Sequence, residues 1–252
     1  MSYRESVWEV PPDIVDIETE LKELAHLYYF LVRKRQGLEM MAEKMWGNIG
    51  RRMDYILEEL GIVETRLRTV KSRIDVAVQE HPVWIQWGQY VKGLGKTMLG
   101  ILLGVAPPRR FPLPSALLKY TGWAPPEVYG GRRIGGVRRW VVFQIAMGLI
   151  RSKGFYRSIY EKFRFEEDQK HPDYPAARRF RRALRKLIRL FIHHYWEVYI
   201  SLFGYAKRLP YEFEKGLKPM TQYIPPHIDI PTVMPWSPAE IEKIVIRSQR
   251  RK

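Results

Sequence analysis

The chain has 252 residues, with 43 Lys or Arg against 27 Asp or Glu, and a formal net charge of +16. Its 46% hydrophobic content supplies a sizeable core and excludes a disordered tail protein. The absence of cysteine excludes disulfides and thiolate metal sites. No uncharged run is long enough to span a bilayer and the start of the sequence shows no secretory pattern, so we expect a cytoplasmic protein without a membrane partner.

The positive charge is concentrated in the middle of the sequence. Residues 1–90 hold 12 basic and 15 acidic side chains, residues 91–190 hold 22 and 6, and residues 191–252 hold 9 and 6. A basic block of this size is the electrostatic footprint of a protein that binds a phosphate backbone, and an anionic lipid surface is the weaker alternative. A single asparagine and the many Arg, Lys and Glu residues are typical of a thermophilic protein.

The first region, residues 1–82, predicts two long helices with coiled-coil periodicity on either side of residues 47–50. Apolar residues recur at alternating intervals of three and four, which is the spacing of a coiled-coil seam. The seam of the first helix comprises Ile14, Ile17, Leu21, Leu24, Tyr28 and Leu31, and that of the second comprises Met53, Ile56, Leu60, Val63, Leu67, Val70, Ile74 and Ala77. Either the helices fold back as an antiparallel hairpin, or each seam pairs with another subunit. We expect a homo-oligomer formed through this coiled coil.

The second region, residues 83–208, predicts a basic helical domain, and residues 209–252 predict a proline-rich arm. Helices are expected near 138–151, 154–166 and 174–203, with a short β-hairpin near 127–134 as the one candidate for strand structure. The fold class is therefore mainly all-α. The arm is expected to lie over its own domain or a neighbouring subunit, and a final helix is expected to begin at Ser237.

The most specific local pattern is VKGLGKTMLGILLG at residues 91–104, which resembles a helix-hairpin-helix turn preceded by a helix over 83–91. In such a turn, Gly93 and Gly95 let the backbone approach a phosphate, the free amides of the following helix bind it, and Lys96 adds charge. The alternative is a turn with no ligand. A nucleotide-binding P-loop is excluded because Tyr90 stands where a glycine is required and no apolar strand precedes the turn.

The last helix of the basic region has an apolar face and an arginine face. The arginine face, Arg178, Arg182, Arg185 and Arg189, suits bidentate contact with phosphates, and a merely solvated basic face is the alternative. The aromatic run over 195–203 is expected to be buried.

Potential catalytic and metal-binding residues do not form a recognisable site. The six histidines lack metal-ligand spacing, and Glu166, Glu167 and Asp168 are expected in a solvated loop between helices. The sequence therefore predicts neither a catalytic constellation nor a cofactor.

Residues 83–199 resemble the C-terminal domain of the DEDD-type insertion-sequence transposases, the family that includes the Piv-type DNA invertases. The stretches that carry the resemblance are VKGLGKTMLGILLG, RRFPLPSALLKYTGWAPPEVYGGRRIGG, RRWVVFQIAMGLIRSKGFYRSIYEKFR and RALRKLIRLF. The resemblance implies a DNA-binding domain that follows a coiled coil. It does not include the family's RNase-H-like domain with its four carboxylates, because the first 90 residues are predicted to be helical and are too few.

The family's catalytic serine aligns with Gly130, and no serine occurs between Ser115 and Ser152. The resemblance therefore implies a transposase-derived, catalytically inactive protein that binds double-stranded DNA and associates with the nucleoid. The alternatives are the DNA-binding subunit of a split recombinase, and a structural nucleoprotein or RNA-binding assembly protein.

Besides the hairpin and the arginine face, we expect phosphate contacts from four arginines beside the glycine-rich loop. They are Arg132, Arg133, Arg138 and Arg139. Trp123 and Tyr129 are expected to pack rather than to stack on bases.

Overall fold

The computed structural model describes residues 8–45, 51–125, 127, 135–205 and 219–226. All regular structure within these ranges is helical, which confirms the all-α class. The helices are α1 (Pro12–Met45), α2 (Arg51–Gln79), α3 (Pro82–Gln86), α4 (Lys96–Val105), α5 (Pro114–Tyr120), α6 (Val137–Arg151), α7 (Phe155–Lys170) and α8 (Ala176–Leu202), with 3-10 turns at Gly88–Tyr90, Pro108–Arg110 and Met220–Gln222. The helix expected from Ser237 and all but Glu127 of the expected β-hairpin lie outside the described residues.

Helices α1 and α2 form an antiparallel hairpin within the chain. Near their connection, Lys34 pairs with Glu59 at 2.7 Å, and at the opposite end Leu21, Ile74 and Val78 meet around one point of α4. The seam residues are buried or half-buried along both helices. The 3-4 spacing thus predicted the correct faces, and the structure assigns the seam to contacts between α1 and α2 rather than to another subunit.

Helix α4 packs closely against both long helices, against the backbone of α1 at Gly104 and against side chains of α2 at Gly100. A Cβ atom on Gly104 would lie 2.5 Å from the Lys22 nitrogen and 2.6 Å from the Leu21 carbonyl oxygen. A Cβ atom on Gly100 would lie 2.7 Å from Ile74. The apolar core therefore continues without a break from the hairpin into the basic region. The predicted boundary after residue 82 marks a change in composition, not a gap in the core.

Helix α8 supplies the centre of the core, as the aromatic run in its second half predicted. All residues from 191 to 200 are buried. The Trp196 indole donates to the Phe111 carbonyl at 3.0 Å, and the Tyr195 hydroxyl donates to the Ala106 carbonyl at 3.3 Å. These bonds satisfy the polar ends of two large buried rings, so the rings can remain out of water.

A buried polar cluster joins α1 to the rest of the molecule. The Glu18 carboxylate accepts from Arg109 Nε at 2.5 Å and from the Tyr199 hydroxyl at 2.6 Å, and His81 Nε2 lies 3.6 Å away. Burial and the Glu18 charge raise the pKa of Tyr199 well above its ordinary value, so its hydroxyl remains a donor. The cluster connects α1, the start of α3, the 108–110 turn and α8.

The described part of the proline-rich arm, residues 219–226, lies over α8 of the same chain. His194 Nε2 donates to the Ile224 carbonyl at 2.8 Å, while its Nδ1 lies 2.8 Å from the Tyr156 hydroxyl. The Tyr223 hydroxyl donates to Glu197, and burial and this carboxylate raise the Tyr223 pKa. Of the two locations expected for the arm, these residues occupy the one on their own domain.

Two glycine substitutions should have opposite effects on stability. Gly104→Ala should lower the free energy of unfolding by about 2 kcal/mol, because the new methyl group would overlap the α1 backbone. Gly61→Ala should raise it by about 1 kcal/mol, because Gly61 lies in the interior of α2 with open space around its Cβ position. Urea unfolding followed by circular dichroism measures both, and equal effects would contradict the close approach of α1 and α4.

Removal of the Glu18 carboxylate should destabilise the fold severely. Glu18→Ala leaves Arg109 buried without its counter-charge, which typically costs about 3–5 kcal/mol. The matched control is Glu20→Ala, two residues away on the same helix but exposed, which should change stability by about 0.5 kcal/mol or less. Similar losses in the two variants, measured by urea unfolding, would show that the buried cluster is not required.

Candidate nucleic-acid interface

The glycine turn at residues 92–95 leads into α4 as the helix-hairpin-helix resemblance predicted, although the helix before it is shorter. Helix α3 ends at Gln86, and a 3-10 turn at Gly88–Tyr90 takes the place of the rest of the helix expected over 83–91. Gly93 has a φ of +89°, a conformation that favours glycine. Gly95 is the N-cap of α4, and because glycine has no side chain it cannot cap the free amides of the first turn.

Position 93 requires a glycine mainly because the turn packs closely against the end of α6, which leaves no room for a side chain. A Cβ atom there would lie 2.6 Å from both the Gly148 carbonyl oxygen and the Ser152 hydroxyl. The Ser152 hydroxyl donates to the Lys92 carbonyl at 3.0 Å. By contrast, a Cβ atom on Gly95 would meet nothing within 4 Å, so the approach to the N-terminus of α4 is open on that side.

The packing of this turn on α6 brings together four cationic residues that are far apart in sequence. Lys92 and Lys96 lie in and after the turn, and Arg151 and Lys153 flank the Ser152 that contacts it. Lys92, Arg151 and Lys153 are exposed, and the Lys96 ammonium lies 5.6 Å from the centre of the Trp84 ring. We call these four residues the hairpin cluster. Sequence reasoning missed Arg151 and Lys153, because only the fold joins positions 60 residues apart.

One acidic side chain borders the first turn of α4. The Thr97 hydroxyl donates to Asp75 Oδ1 at 2.6 Å, and Asp75 Oδ2 pairs with Lys71 at 2.9 Å. The hydrogen bond from Lys71 to Asp75 raises the Lys71 pKa, so this lysine keeps its charge. Asp75 reaches α4 from α2 and interacts favourably with the positive end of the helix dipole. An anion at this helix would approach through the open space at Gly95 and would be repelled by the Asp75 carboxylate.

Arg138 and Arg139 lie in the first turn of α6, each held against an aromatic ring. The Arg138 guanidinium lies 4.2 Å from the centre of the Tyr120 ring, and that of Arg139 lies 4.4 Å from the Trp123 ring. Trp123 donates to the Arg139 carbonyl at 3.3 Å, so it packs as expected. The hairpin cluster contacts the other end of α6, and this helix of 15 residues is about 22 Å long. The two sets therefore do not form one compact site.

Two arginines of the predicted interface, Arg132 and Arg133, lie outside the described residues, so their predicted phosphate contacts stay predictions. Tyr129, which was expected to pack, and Gly130, which stands at the position of the family's catalytic serine, also lie outside them.

The predicted arginine face of α8 is partly occupied by acidic residues of α7. Arg182 pairs with Glu167, whose side chain is only 2% exposed, and its guanidinium lies 3.2 Å from His171 Nε2. Arg178 lies 3.8 Å from the centre of the Tyr174 ring. These two arginines contact the end of α7 and its connection to α8, although Arg178 is exposed, as are Arg185 and Arg189. Part of the predicted arginine face therefore has a structural role in addition to any contact with a groove.

The expectation that the acidic cluster lies in a solvated loop is wrong. Glu166, Glu167 and Asp168 belong to the last turns of α7, which continues to Lys170. Lys186 pairs with Glu166 at 2.9 Å and with Glu167 at 2.8 Å, and Arg179 pairs with Asp168 at 2.6 Å. Burial acts to raise the Glu167 pKa, but hydrogen bonds from Lys186 and Arg182 outweigh it, so the pKa lies below its ordinary value.

The described residues contain no group of three or more His, Cys, Asp or Glu side chains arranged to hold a metal ion. His193 and His194 are both buried, and His194 bonds to Tyr156 and to the Ile224 carbonyl. None of the helices in the described part of the chain combines the length and apolarity needed to cross a bilayer.

Comparison of the chain with family models, curated proteins and solved structures gave no match.

The ion pairs of Glu167 should make the free energy of unfolding fall as the pH is lowered into the acid range. Because the Glu167 pKa is lowered in the folded state, its stabilising contribution is complete above the ordinary carboxyl pKa and is lost as the pH falls through the lowered value. Glu167→Gln should therefore cost about 2 kcal/mol near neutral pH and should flatten the decline of stability in acid. Urea unfolding across a pH series measures this, with Glu166→Gln, which is more exposed, as the control. An unchanged acid profile in Glu167→Gln would contradict it.

Proposed function

We propose that this protein binds the phosphate backbone of double-stranded DNA through the hairpin cluster at the N-terminus of α4. The observation that carries the proposal is the contact of Lys92 and Gly93 with Ser152. Because of this contact, Arg151 and Lys153 lie beside the N-terminus of α4. The N-cap of α4 is a glycine with no side chain to cap the first amides, and the space around its Cβ position is open.

The chemistry of this cluster suits a phosphate group. Uncapped amides at a helix N-terminus donate hydrogen bonds to an anion, and the helix dipole favours negative charge there. Lysine and arginine side chains add charge and release counterions from the nucleic acid when they bind. Contacts of this kind are made to phosphates and not to base edges, so binding is expected to be largely independent of sequence and steeply sensitive to salt.

Additional backbone contacts are proposed for Arg138 and Arg139 at the start of α6 and for the exposed Arg185 and Arg189 on α8. The stacking of Arg138 on Tyr120 and of Arg139 on Trp123 limits the side-chain freedom that binding would otherwise remove. A duplex presents phosphates along its whole length, so separate basic groups can contact one ligand without forming a single pocket.

The resemblance to transposase C-terminal domains supports duplex DNA over RNA as the ligand. Gly130, at the position of the catalytic serine, supports binding without strand cleavage, because covalent attack on DNA requires a hydroxyl nucleophile.

Charge reversal in the hairpin cluster should weaken DNA binding. Lys96→Glu and Arg151→Glu should each lower the affinity for a short duplex at least tenfold. Each should also reduce the slope of log K against the logarithm of the salt concentration by about one, which corresponds to the loss of one phosphate contact. Fluorescence anisotropy across a salt series measures both quantities. The matched control is Arg33→Glu, the same charge change at an exposed site on α1, which should have a much smaller effect.

The same titrations with single-stranded DNA and structured RNA test the choice of ligand. Tighter binding to RNA would replace duplex DNA with RNA as the partner. Absence of binding to all three, or equal effects of Arg33→Glu and Lys96→Glu, would contradict the proposed function.

A further inference from the structure

The outer face of α1 carries a second heptad stripe, distinct from the seam that packs on α2. Its positions alternate by three and four residues along almost the entire helix. From the N-terminal end they are Asp13, Asp16, Glu20, Glu23, Leu27, Phe30, Lys34, Gly37, Met41 and Lys44. All are exposed except Lys34 and Gly37, which are half-buried. We call this set the outer stripe.

The middle and C-terminal half of the outer stripe present large apolar side chains to solvent. Leu27 is 46% exposed, Phe30 62% and Met41 56%. The Lys34–Glu59 ion pair places exposed Tyr55 and Ile62 of α2 on the same side, because each lies one helical turn from Glu59. Leu27 and Phe30 lie one helical turn apart, so their side chains form an exposed apolar pair, and exposed apolar patches commonly mark interaction sites.

The charges of the outer stripe are arranged so that the stripe complements a reversed copy of itself. Its first four positions are acidic, and its later positions are apolar or basic. In an antiparallel pairing where facing residue numbers add up to 57, Leu27 faces Phe30, Glu23 faces Lys34 and Asp13 faces Lys44. In the same register Glu20 faces Gly37, whose Cβ position is open and leaves room for close approach. A two-fold axis repeats every one of these contacts.

A parallel pairing of the outer stripe is disfavoured by the same charges. It would place each of the four acidic residues opposite its own copy, and like charges that face each other across a helix pair repel. A partner helix of unrelated sequence has no reason to match this order of acidic, apolar and basic positions. A second copy matches it at three of the five facing pairs, Asp13 with Lys44, Glu23 with Lys34 and Leu27 with Phe30, while Asp16 faces Met41 and Glu20 faces Gly37.

We propose that two copies of this chain associate through the outer stripes of their α1 helices, antiparallel and in this register. The dimer uses a face that the internal seam leaves exposed, and it does not depend on nucleic-acid binding. The internal seam keeps its contacts with α2 in each copy.

Sedimentation equilibrium of the full chain tests the charge complementarity. The wild-type protein should be a dimer in equilibrium with monomer, and Glu23→Lys, Asp13→Lys or Lys44→Glu should each raise the dissociation constant roughly tenfold, since each change affects two symmetric contacts. The combined variant Asp13→Lys with Lys44→Glu restores opposite charges across the interface and should recover affinity, and it leaves the Lys34–Glu59 pair within each chain intact. The matched control is Arg33→Glu, which reverses the charge next to Lys34 but off the stripe.

A cross-linking experiment tests the register and remains informative if charge reversal perturbs α1. The chain has no cysteine, so an introduced thiol is unique. Mixing Asp13→Cys protein with Lys44→Cys protein should give a cross-linked heterodimer, and Asp13→Cys protein alone should not cross-link. Within one chain the two positions are about 46 Å apart along α1, so the cross-link must join two copies.

Several outcomes would overturn the proposal. They are a wild-type chain that stays monomeric, a loss of association in Arg33→Glu equal to that in Glu23→Lys, and a cross-link between two Asp13→Cys chains. A monomeric wild-type chain would exclude the dimer. An equal loss in Arg33→Glu would exclude the outer stripe as its interface, and a cross-link between two Asp13→Cys chains would replace the antiparallel pairing with a parallel one.

Discussion

The buried ion pair between Glu18 and Arg109 is the contact on which the rest of the architecture depends. It lies where α1, α3, α8 and the 108–110 turn meet, and Tyr199 completes it with a hydrogen bond to the same carboxylate. A buried charge without its partner is strongly unfavourable, so the helical hairpin and the basic region must assemble together to satisfy it. The two regions therefore behave as one folded unit despite the difference in their composition.

Glycine contacts on two sides fix the position of α4 within that unit. Gly104 lets α4 approach the backbone of α1, and Gly93 lets the turn before α4 approach the end of α6. Both contacts involve backbone atoms, which cannot rearrange as side chains do. The N-terminus of α4 is consequently held at the surface beside Arg151 and Lys153, and this position supports the proposed phosphate contact.

Local patterns in the sequence predicted the long helices, the internal seam and the glycine turn, because periodicity and backbone conformation depend on neighbouring residues, whereas the short helix α5 was not predicted. Long-range contacts were missed. Arg151 and Lys153 join the hairpin cluster only through the Ser152–Lys92 contact. Glu167 looked like a loop residue because His171 and Pro172 follow closely, and its role depends on Arg182 and Lys186 of the next helix. Neither pairing has a signature in sequence spacing.

The position of Tyr199 in the sequence has a consequence for the order of events during synthesis. Its partner Glu18 lies 181 residues earlier, and Tyr205 likewise reaches back to the Glu9 carbonyl. On the ribosome, the hairpin is complete long before α8 emerges, so the carboxylate must stay hydrated and the hairpin face that packs on the basic region must stay uncovered until then. A nascent chain of this protein therefore remains vulnerable to aggregation until α8 has left the exit tunnel.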